Sequence, residues 1–159
     1  MRTDTRLGRA VQKVAGSPVF ARFGPRLAPR MDRLVHRLSG GRLMASTGLL
    51  PMIMLTAIGA KSGLPRSTPL AAVQLDGVFV VVGSNFGQAA HPGWSANLIA
   101  HPDATVSHEG EEFPVRAHLL SPDEKAGVWP RLIAIWPLFD SYVESSGRDI
   151  RVFRLIRTA

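Results

Sequence analysis

Residues 52–83 read MIMLTAIGAKSGLPRSTPLAAVQLDGVFVVVG, and this stretch decides the fold. Its first segment, Met52–Ile58, is apolar and almost continuous, which predicts a strand buried on both faces. A turn with two glycines leads to a second predicted strand at residues 66–75. The following Asp-Gly pair is typical of a two-residue hairpin and leads into a third strand at residues 78–83. Three strands joined by short turns predict an antiparallel sheet.

The rest of the chain adds three more predicted strands, at residues 104–108, 112–119 and 150–156. A helix is expected over residues 91–100, with proline in its first turn. Ser121 predicts the start of another helix, because it can cap the N-terminus and form a capping box with Glu124. Within that helix, Pro130 and Pro137 are expected to cause kinks or breaks. Six strands with few helical connections indicate a small antiparallel barrel or sandwich.

The composition restricts the classes of protein that this chain can represent. It has 159 residues, 45% of them apolar and 19% charged, enough for one domain with a buried core. It has no cysteine, which excludes disulfides, thiol nucleophiles and cysteine-based metal sites. No apolar run is long enough to span a bilayer, and the N-terminus lacks a secretory signal, so a cytoplasmic location is expected.

Positive charge is concentrated in the first 45 residues. They carry ten Lys or Arg against two Asp, whereas the other 114 residues carry nine basic and ten acidic side chains. We therefore expect a basic helical extension, residues 1–45, before a barrel domain, residues 46–159. A helix with an apolar stripe beside arginines is predicted there, the stripe formed by Leu27, Met31, Leu34, Val35 and Leu38. Such a helix suits an anionic membrane surface better than nucleic acid, which is not an expected partner. Docking of the stripe on the barrel is the alternative.

Motifs for self-contained catalysis are missing. The chain has no G-x-S-x-G nucleophile elbow and no H-E-x-x-H metal motif. The Lys61-Ser62 pair lacks the glycines of a P-loop, because positions 55 and 60 are Leu55 and Ala60. No metal site is expected.

Two loops remain as candidates for holding a ligand. In the first, residues 59–66, two glycines free the backbone while Lys61 and Arg66 supply positive charge, a combination that suits phosphate or carboxylate. An ordinary hairpin turn with solvated charges is the alternative. The second, residues 83–90, is rich in small and polar residues and precedes a helix N-terminus, so it can bind polar ring edges or an anion.

The order and spacing of these features resemble the deazaflavin-dependent nitroreductase family, which uses coenzyme F420. The resemblance covers about residues 48–157 and rests on Gly59-x-Lys61-Ser62-Gly63-x-Pro65-Arg66, Pro69-Leu70, Asp76-Gly77, Ser84, Pro92-x-Trp94-x-x-Asn97-Leu98 and His101-Pro102. It implies a mainly β, α+β fold: a six-stranded antiparallel split β-barrel of the flavin-mononucleotide-binding and pyridoxamine-phosphate-oxidase type. Flanking helices would surround this barrel.

The resemblance also implies roles for individual residues. Lys61, Ser62 and Arg66, with the backbone near Ala60, would hold the phosphate and acidic tail of the cofactor. Further cofactor contacts would come from Ser67, Thr68, Val82, Gly83, Ser84, Asn85, Gly93, Trp94 and Asn97. The segment from Val82 to Asn85 would pass along the deazaflavin ring. His91 stands where family members often have asparagine.

The C-terminal part differs from that of the best-known nitroreductases, which carry three tyrosines around the substrate. The matching residues are Trp136, Phe139 and Tyr142, so two phenol hydroxyls are missing. With Ser84 as a proton donor, the resemblance implies faster reduction of quinones than of nitro compounds. The alternative is that the three aromatic residues belong to the core.

Together these observations predict an F420H2-dependent oxidoreductase that transfers a hydride to a small conjugated acceptor such as a quinone, enone or nitro compound. A non-catalytic split-barrel carrier of a fatty acid, lipid or cofactor is one alternative. An oxidoreductase that uses flavin mononucleotide is another. Whether the protein forms a homodimer stays open.

Overall fold

The structure, a computed structural model, describes residues 30–40 and 51–158. Its elements in chain order are α1 (residues 30–38), β1 (Met52–Ile58), β2 (Pro65–Leu75), β3 (Val78–Val82), a 3-10 turn (Asn85–Gly87), α2 (Gly93–Ala100), β4 (Asp103–His108), β5 (Glu111–Leu119), α3 (Pro122–Ile135), α4 (Leu138–Ser146) and β6 (Val152–Arg157). The expected boundary between residues 45 and 46 lies outside the described residues, as does most of the basic extension.

The six strands form a closed antiparallel barrel in the order β1-β2-β3-β6-β5-β4, with β4 pairing back to β1. The predicted six-stranded antiparallel barrel is therefore confirmed. Its two tight hairpins have left-handed central residues: Asp76 and Gly77 have φ angles of 52° and 78°, and Glu109 and Gly110 have 52° and 86°. Two-residue turns of this kind match the twist of antiparallel strands.

Two apolar clusters stabilise the barrel. The first fills its interior with inward-facing residues from all six strands and includes Leu55, Val106 and Phe153. The second lies outside β2, β3 and β6, where α3 and α4 cover residues such as Val80 and Val152. Because β3 is covered on both faces, this strand is apolar throughout its length, whereas β6 is covered on both faces only at its start and contains Arg154 and Arg157 further along.

The helices begin and end close to the predicted positions. Ser121 and Glu124 form the expected capping box at the start of α3. Pro130, however, lies within α3 without ending it, so no break occurs at that position, and a kink there stays a prediction. Pro130 and Ala126 are both exposed, and water can satisfy the carbonyl group that proline leaves without a partner. Pro137 does separate α3 from α4, as predicted.

Helix α1 contacts the barrel through its polar side. His36 Nε2 lies 3.3 Å from Ser107 Oγ on β4, and Asp32 is 2% exposed. Its apolar residues Met31, Leu34 and Leu38 are 60%, 59% and 79% exposed, so the alternative in which this stripe docks on the barrel does not hold for them. Among the described residues, no helix is long and apolar enough to cross a membrane.

Candidate active site

The turn between β1 and β2, the 59–66 loop, is closed by its own backbone. The N–H of Gly59 donates to the carbonyl of Leu64 at 2.9 Å, and the N–H of Gly63 donates to the carbonyl of Gly59 at 2.8 Å. Gly63 has a φ of 65°, a conformation that glycine adopts without strain. A Cβ on Gly59 would lie 2.5 Å from Ser62 Oγ. Glycine at position 59 therefore lets Ser62 keep this position, and a larger residue would force the Ser62 side chain to move.

The charged side chains of the 59–66 loop are available to a ligand. Lys61, Ser62 and Arg66 are exposed, and neither cation forms an ion pair with another described residue. Two unpaired cations on a compact loop can donate charge-assisted hydrogen bonds to phosphate or carboxylate oxygens. The residues present thus fit an anionic group.

Strand β2 divides the neighbouring candidates between its two faces. Arg66 and Thr68 lie opposite buried β1 residues whose side chains belong to the barrel interior. Ser67 lies on the other face, where its hydroxyl is 2.8 Å from that of Thr56. Side chains alternate along a strand, so Ser67 cannot share one wall with Arg66 and Thr68 through its side chain.

A hydrogen bond connects the 59–66 loop to α2. The N–H of Ala60 donates to Asn97 Oδ1 at 3.0 Å. One turn earlier, Gly93 is exposed, and no heavy atom lies within 4 Å of the position that its Cβ would occupy. This side of α2 therefore presents an open surface that begins at the 59–66 loop.

The opposite side of α2 closes the end of the barrel. Trp94 is 8% exposed and its ring packs 5.7 Å from that of Phe153. Ser95 is fully buried and accepts a hydrogen bond from Arg151 Nη1 at 3.2 Å. The structure therefore separates Trp94 from Asn97: the indole packs in the interior core, whereas the amide faces the 59–66 loop. A spacing of three residues on one helix predicts a shared face for Trp94 and Asn97, and this sharing does not occur.

The segment after β3, the 83–91 loop, has an unusual backbone. Asn85, Phe86 and Gly87 have φ angles of 48°, 54° and 74°, three consecutive left-handed residues of which two are not glycine. Such residues carry conformational strain, and they persist only where their surroundings hold them in place. Asn85 Nδ2 helps to do so by donating to the carbonyl of Ala90 at 2.9 Å.

Helix α4 packs closely against this loop at Gly87. A Cβ at this position would lie 2.1 Å from Ser145 Oγ and 3.3 Å from Tyr142 Cδ1. Ser145 Oγ also donates to the carbonyl of Gly87 at 3.3 Å. Tyr142 thus lies beside the loop that contains Ser84.

Arg148 was not singled out in the sequence, yet its guanidinium group makes more contacts with the 83–91 loop than any side chain described so far. Its Nη2 donates to the carbonyls of Gly83 and Ser84 at 2.9 and 2.8 Å, and its Nε donates to the carbonyl of Gln88 at 3.1 Å. Its Nη1 lies 3.0 Å from His91 Nδ1. No motif marks Arg148; only its place after the helix-ending Gly147 could have directed attention to it.

These contacts also define the state of His91. Because Arg148 can only donate, His91 Nδ1 must accept and carry no proton. Burial and the positive charges of Arg151 and Arg148 lower the pKa of His91 below its usual 6.5. Burial and the positive charge of Arg151 also lower the pKa of Arg148 from its usual value.

The three C-terminal aromatic residues lie in the outer apolar cluster. Trp136, Phe139 and Tyr142 are 7%, 6% and 7% exposed. Burial raises the pKa of the Tyr142 phenol. The ring of Phe139 packs 6.2 Å from that of Trp129. Their burial favours the alternative in which these residues contribute to the core, although Tyr142 also borders the 83–91 loop.

Helix α2 relates the two loops to each other. Pro92, just before α2, lies 3.6 Å from where a Cβ on Gly83 would be, and Asn97 binds the 59–66 loop. A helix of eight residues spans about 12 Å. The structure thereby brings a cationic loop and the segment from Val82 to Asn85 to opposite ends of one short helix.

Within residues 30–40 and 51–158, no three His, Asp or Glu side chains are grouped as metal ligands would be.

Comparison with known proteins agrees with this arrangement. Residues 28–156 match the family model of the F420H(2)-dependent quinone reductases. The chain belongs to this family. A Mycobacterium tuberculosis protein provisionally named an F420H(2)-dependent quinone reductase is 35% identical over 106 residues, which are 67% of this chain and 89% of that protein.

Solved structures support the same fold. An F420-H2 dependent reductase, FDR-A, is 31% identical, covers 66% of this chain and 93% of its own, and superposes with a TM-score of 0.59. A structure described as a domain-swapped dimer is 28% identical, covers 77% of this chain and 94% of its own, and has a TM-score of 0.62. Family membership makes the chain an F420H2-dependent oxidoreductase with a split-barrel fold, as the sequence predicted.

Proposed function

We propose that this chain reduces a quinone in a cleft between the 59–66 loop and the 83–91 loop, with reduced coenzyme F420 held along α2. The observation that carries the proposal is the pair of unpaired cations, Lys61 and Arg66, on a loop bound to α2 through Asn97. A polyanionic cofactor with a flat ring needs cations at one end and a slot with a few polar groups at the other.

The two loops would divide the work of binding. Lys61, Ser62 and Arg66 would donate hydrogen bonds to the phosphate and acidic tail, and Thr68 shares the face of Arg66. Ser67 and Trp94 would contribute through backbone or packing, because their side chains are directed elsewhere. The segment from Val82 to Asn85 would lie along the ring, with Gly93 leaving room beside it.

The reaction balances without a protein nucleophile. When bound, reduced coenzyme F420 would supply a hydride, hence two electrons, and would release one proton as it is oxidised. The quinone gains the hydride and one proton and becomes a quinol. The chain's contribution is to hold both reactants in register, to exclude water and to deliver that proton from solvent or from the Ser84 hydroxyl. The Ser84 side chain makes no capping hydrogen bond to the 3-10 turn, which leaves it free for this role.

The aromatic residues support a preference for quinones over nitro compounds. Among Trp136, Phe139 and Tyr142, only Tyr142 has a phenol, and it is 7% exposed. A nitro group in reduction accumulates charge that an exposed phenol would stabilise, whereas a quinol anion can take its proton from water.

The experiment is a steady-state assay of F420H2 oxidation, with a benzoquinone and a nitroaromatic as alternative acceptors. We expect kcat/KM to be at least about tenfold higher for the quinone. Equal rates for both acceptors would refute the acceptor preference. Tight F420 binding without turnover of either would favour the carrier alternative, and tighter binding of flavin mononucleotide would favour the flavin alternative.

A second proposal concerns the surface of α1, which we infer binds an anionic membrane. Met31, Leu34 and Leu38 are exposed in one row, and Arg30 and Arg37 are exposed beside them. A helix that exposes apolar and cationic side chains together suits the interface of an anionic bilayer. Peripheral attachment would bring the barrel close to quinones dissolved in the bilayer.

Vesicle sedimentation with the full chain tests this surface. Leu34→Glu should abolish sedimentation with anionic phosphatidylserine vesicles, whereas Ile156→Glu should not, because Ile156 is exposed on β6 and β5 separates that strand from β4, which α1 contacts. Equal sedimentation of wild type and Leu34→Glu would refute the proposal.

Homodimer formation is a separate proposal, supported by the domain-swapped dimer of one solved relative, and light scattering measures it.

A further inference from the structure

We propose that Arg148 is a positioning residue that aims two backbone N–H groups, those of Ser84 and Asn85, at the polar edge of the bound ring. The inference rests on the proposed function and adds to it a residue outside both ligand loops. It starts from the guanidinium group, whose Nη2 donates to the carbonyls of Gly83 and Ser84 at 2.9 and 2.8 Å.

Because the peptide unit is planar, these two carbonyl contacts also determine the direction of two backbone N–H groups. The described residues contain no cis peptide bond, so the N–H of each peptide unit is directed opposite to its carbonyl. When the carbonyls of Gly83 and Ser84 face Arg148, the N–H groups of Ser84 and Asn85 must face away from it. Neither N–H donates to another described residue. Two adjacent, unpaired donors therefore lie along the segment expected beside the ring.

The strained backbone explains why a clamp is needed. Asn85 and Phe86 have positive φ angles, and the loop would relax from this conformation if its carbonyls were released. Arg148 opposes that relaxation at both ends of the loop, because its Nε also binds the carbonyl of Gln88 and its Nη1 binds His91. Four contacts from one planar group leave it little freedom to turn.

The ligand chemistry follows from the donors. Two neighbouring N–H groups select a flat conjugated ring with acceptors on one edge, and a deazaflavin carries carbonyl oxygens at such an edge. Arg148 itself would not touch the ring. Its contribution would be to keep the two donors in place before the ligand arrives, which reduces the entropy lost on binding.

Two substitutions and two probes test this role. Arg148→Met keeps an unbranched apolar side chain but removes every donor, and Arg116→Met is the matched control on the outer face of β5. The probes are coenzyme F420 and its deazaflavin chromophore without phosphate or tail, titrated by fluorescence. We expect Arg148→Met to weaken binding of both probes about tenfold and to shift the absorbance of the bound ring, and Arg116→Met to change neither.

The phosphate-free probe separates this inference from the proposed function. Lys61→Ala should weaken binding of F420 but not of the chromophore, because the chromophore has no phosphate for Lys61 to contact. Wild-type protein that binds neither probe would refute the proposed function. If the wild type binds the probes and Arg148→Met binds them with the same affinity, only the positioning role of Arg148 is refuted.

A measurement on the wild type covers the case in which Arg148→Met does not fold. Amide hydrogen exchange at Ser84 and Asn85 should be fast in the free protein, and its rate should fall at least about tenfold when F420 binds. The amide of Thr158, which is bonded to the carbonyl of Pro114 at 3.1 Å and lies outside both loops, serves as the internal reference. Unchanged exchange at Ser84 and Asn85 in the F420 complex would overturn the inference.

Discussion

The backbone N–H of Ala60 donates a hydrogen bond to Oδ1 of Asn97 at 3.0 Å, although 37 residues separate the two positions in the chain. Ala60 lies in the turn that contains the exposed cations Lys61 and Arg66, and Asn97 lies on the helix that closes the barrel. The bond therefore connects the part of the cleft that would bind phosphate with the part that leads to the ring.

Replacement of Asn97 by alanine should loosen the 59–66 loop. We expect Asn97→Ala to lower the free energy of unfolding by about 0.5–1.5 kcal/mol, the usual contribution of one hydrogen bond, and to weaken F420 binding about three- to tenfold. Thermal denaturation and fluorescence titration measure the two effects. Ile99→Ala, an exposed change on the same helix, should leave F420 affinity unaltered. An equal loss of affinity in both variants would show that the bond itself is unimportant.

Removal of the loop cations should weaken cofactor binding in a salt-dependent manner. Lys61→Ala and Arg66→Ala should each weaken F420 binding about tenfold at low ionic strength, because both side chains are exposed and their contacts are partly screened. Raised salt should reduce wild-type affinity toward that of the variants. Arg131→Ala removes the same charge on α3, where it pairs with Asp76, and should retain wild-type binding. Identical salt dependence in all four proteins would contradict the assignment.

The neutral His91 makes stability dependent on pH. Since folding lowers its pKa below 6.5, the unfolded chain binds a proton that the folded chain does not. The stability that this group contributes is therefore present above pH 6.5 and is lost as the pH falls below it, by less than about 1.4 kcal/mol per pH unit.

Urea denaturation between pH 5 and 7.5 checks this dependence. His91→Asn keeps an acceptor for Arg148 but cannot titrate, so its stability should vary less than that of the wild type. His101→Asn, which changes an exposed histidine, should follow the wild-type profile. A wild-type-like slope in His91→Asn would assign the pH dependence to another group.

Phe139 distinguishes core packing from a role in the reaction. Its side chain is 6% exposed, so Phe139→Tyr should bury a hydroxyl and lower the free energy of unfolding by about 1–3 kcal/mol. We expect the ratio of quinone to nitroaromatic rates to stay unchanged. Phe139→Leu controls for altered packing. A stable Phe139→Tyr variant with a selective gain on the nitroaromatic would instead support a place for this residue beside the acceptor.

The barrel could be predicted from the sequence because its signals are local. Apolar segments such as Met52–Ile58, the glycine-containing hairpins at Gly77 and Gly110, and the capping box at Ser121 each act within a few residues. The cations of the 59–66 loop were also evident, since Lys61 and Arg66 lie in one short turn. Pro130 shows the limit of such rules. Whether a proline ends a helix depends on whether water can reach the carbonyl that it leaves without a partner, and only the folded structure determines that exposure.

Tertiary structure alone decided which face each candidate occupies and what holds the loops. Trp94 and Asn97 lie three residues apart, but only the closed barrel determines that the indole packs on Phe153 while the amide turns to Ala60. Arg148 contacts carbonyls 60 to 65 residues earlier in the chain. Backbone carbonyls are the same in every residue and leave no mark in a sequence, so this contact appears only when the chain is folded.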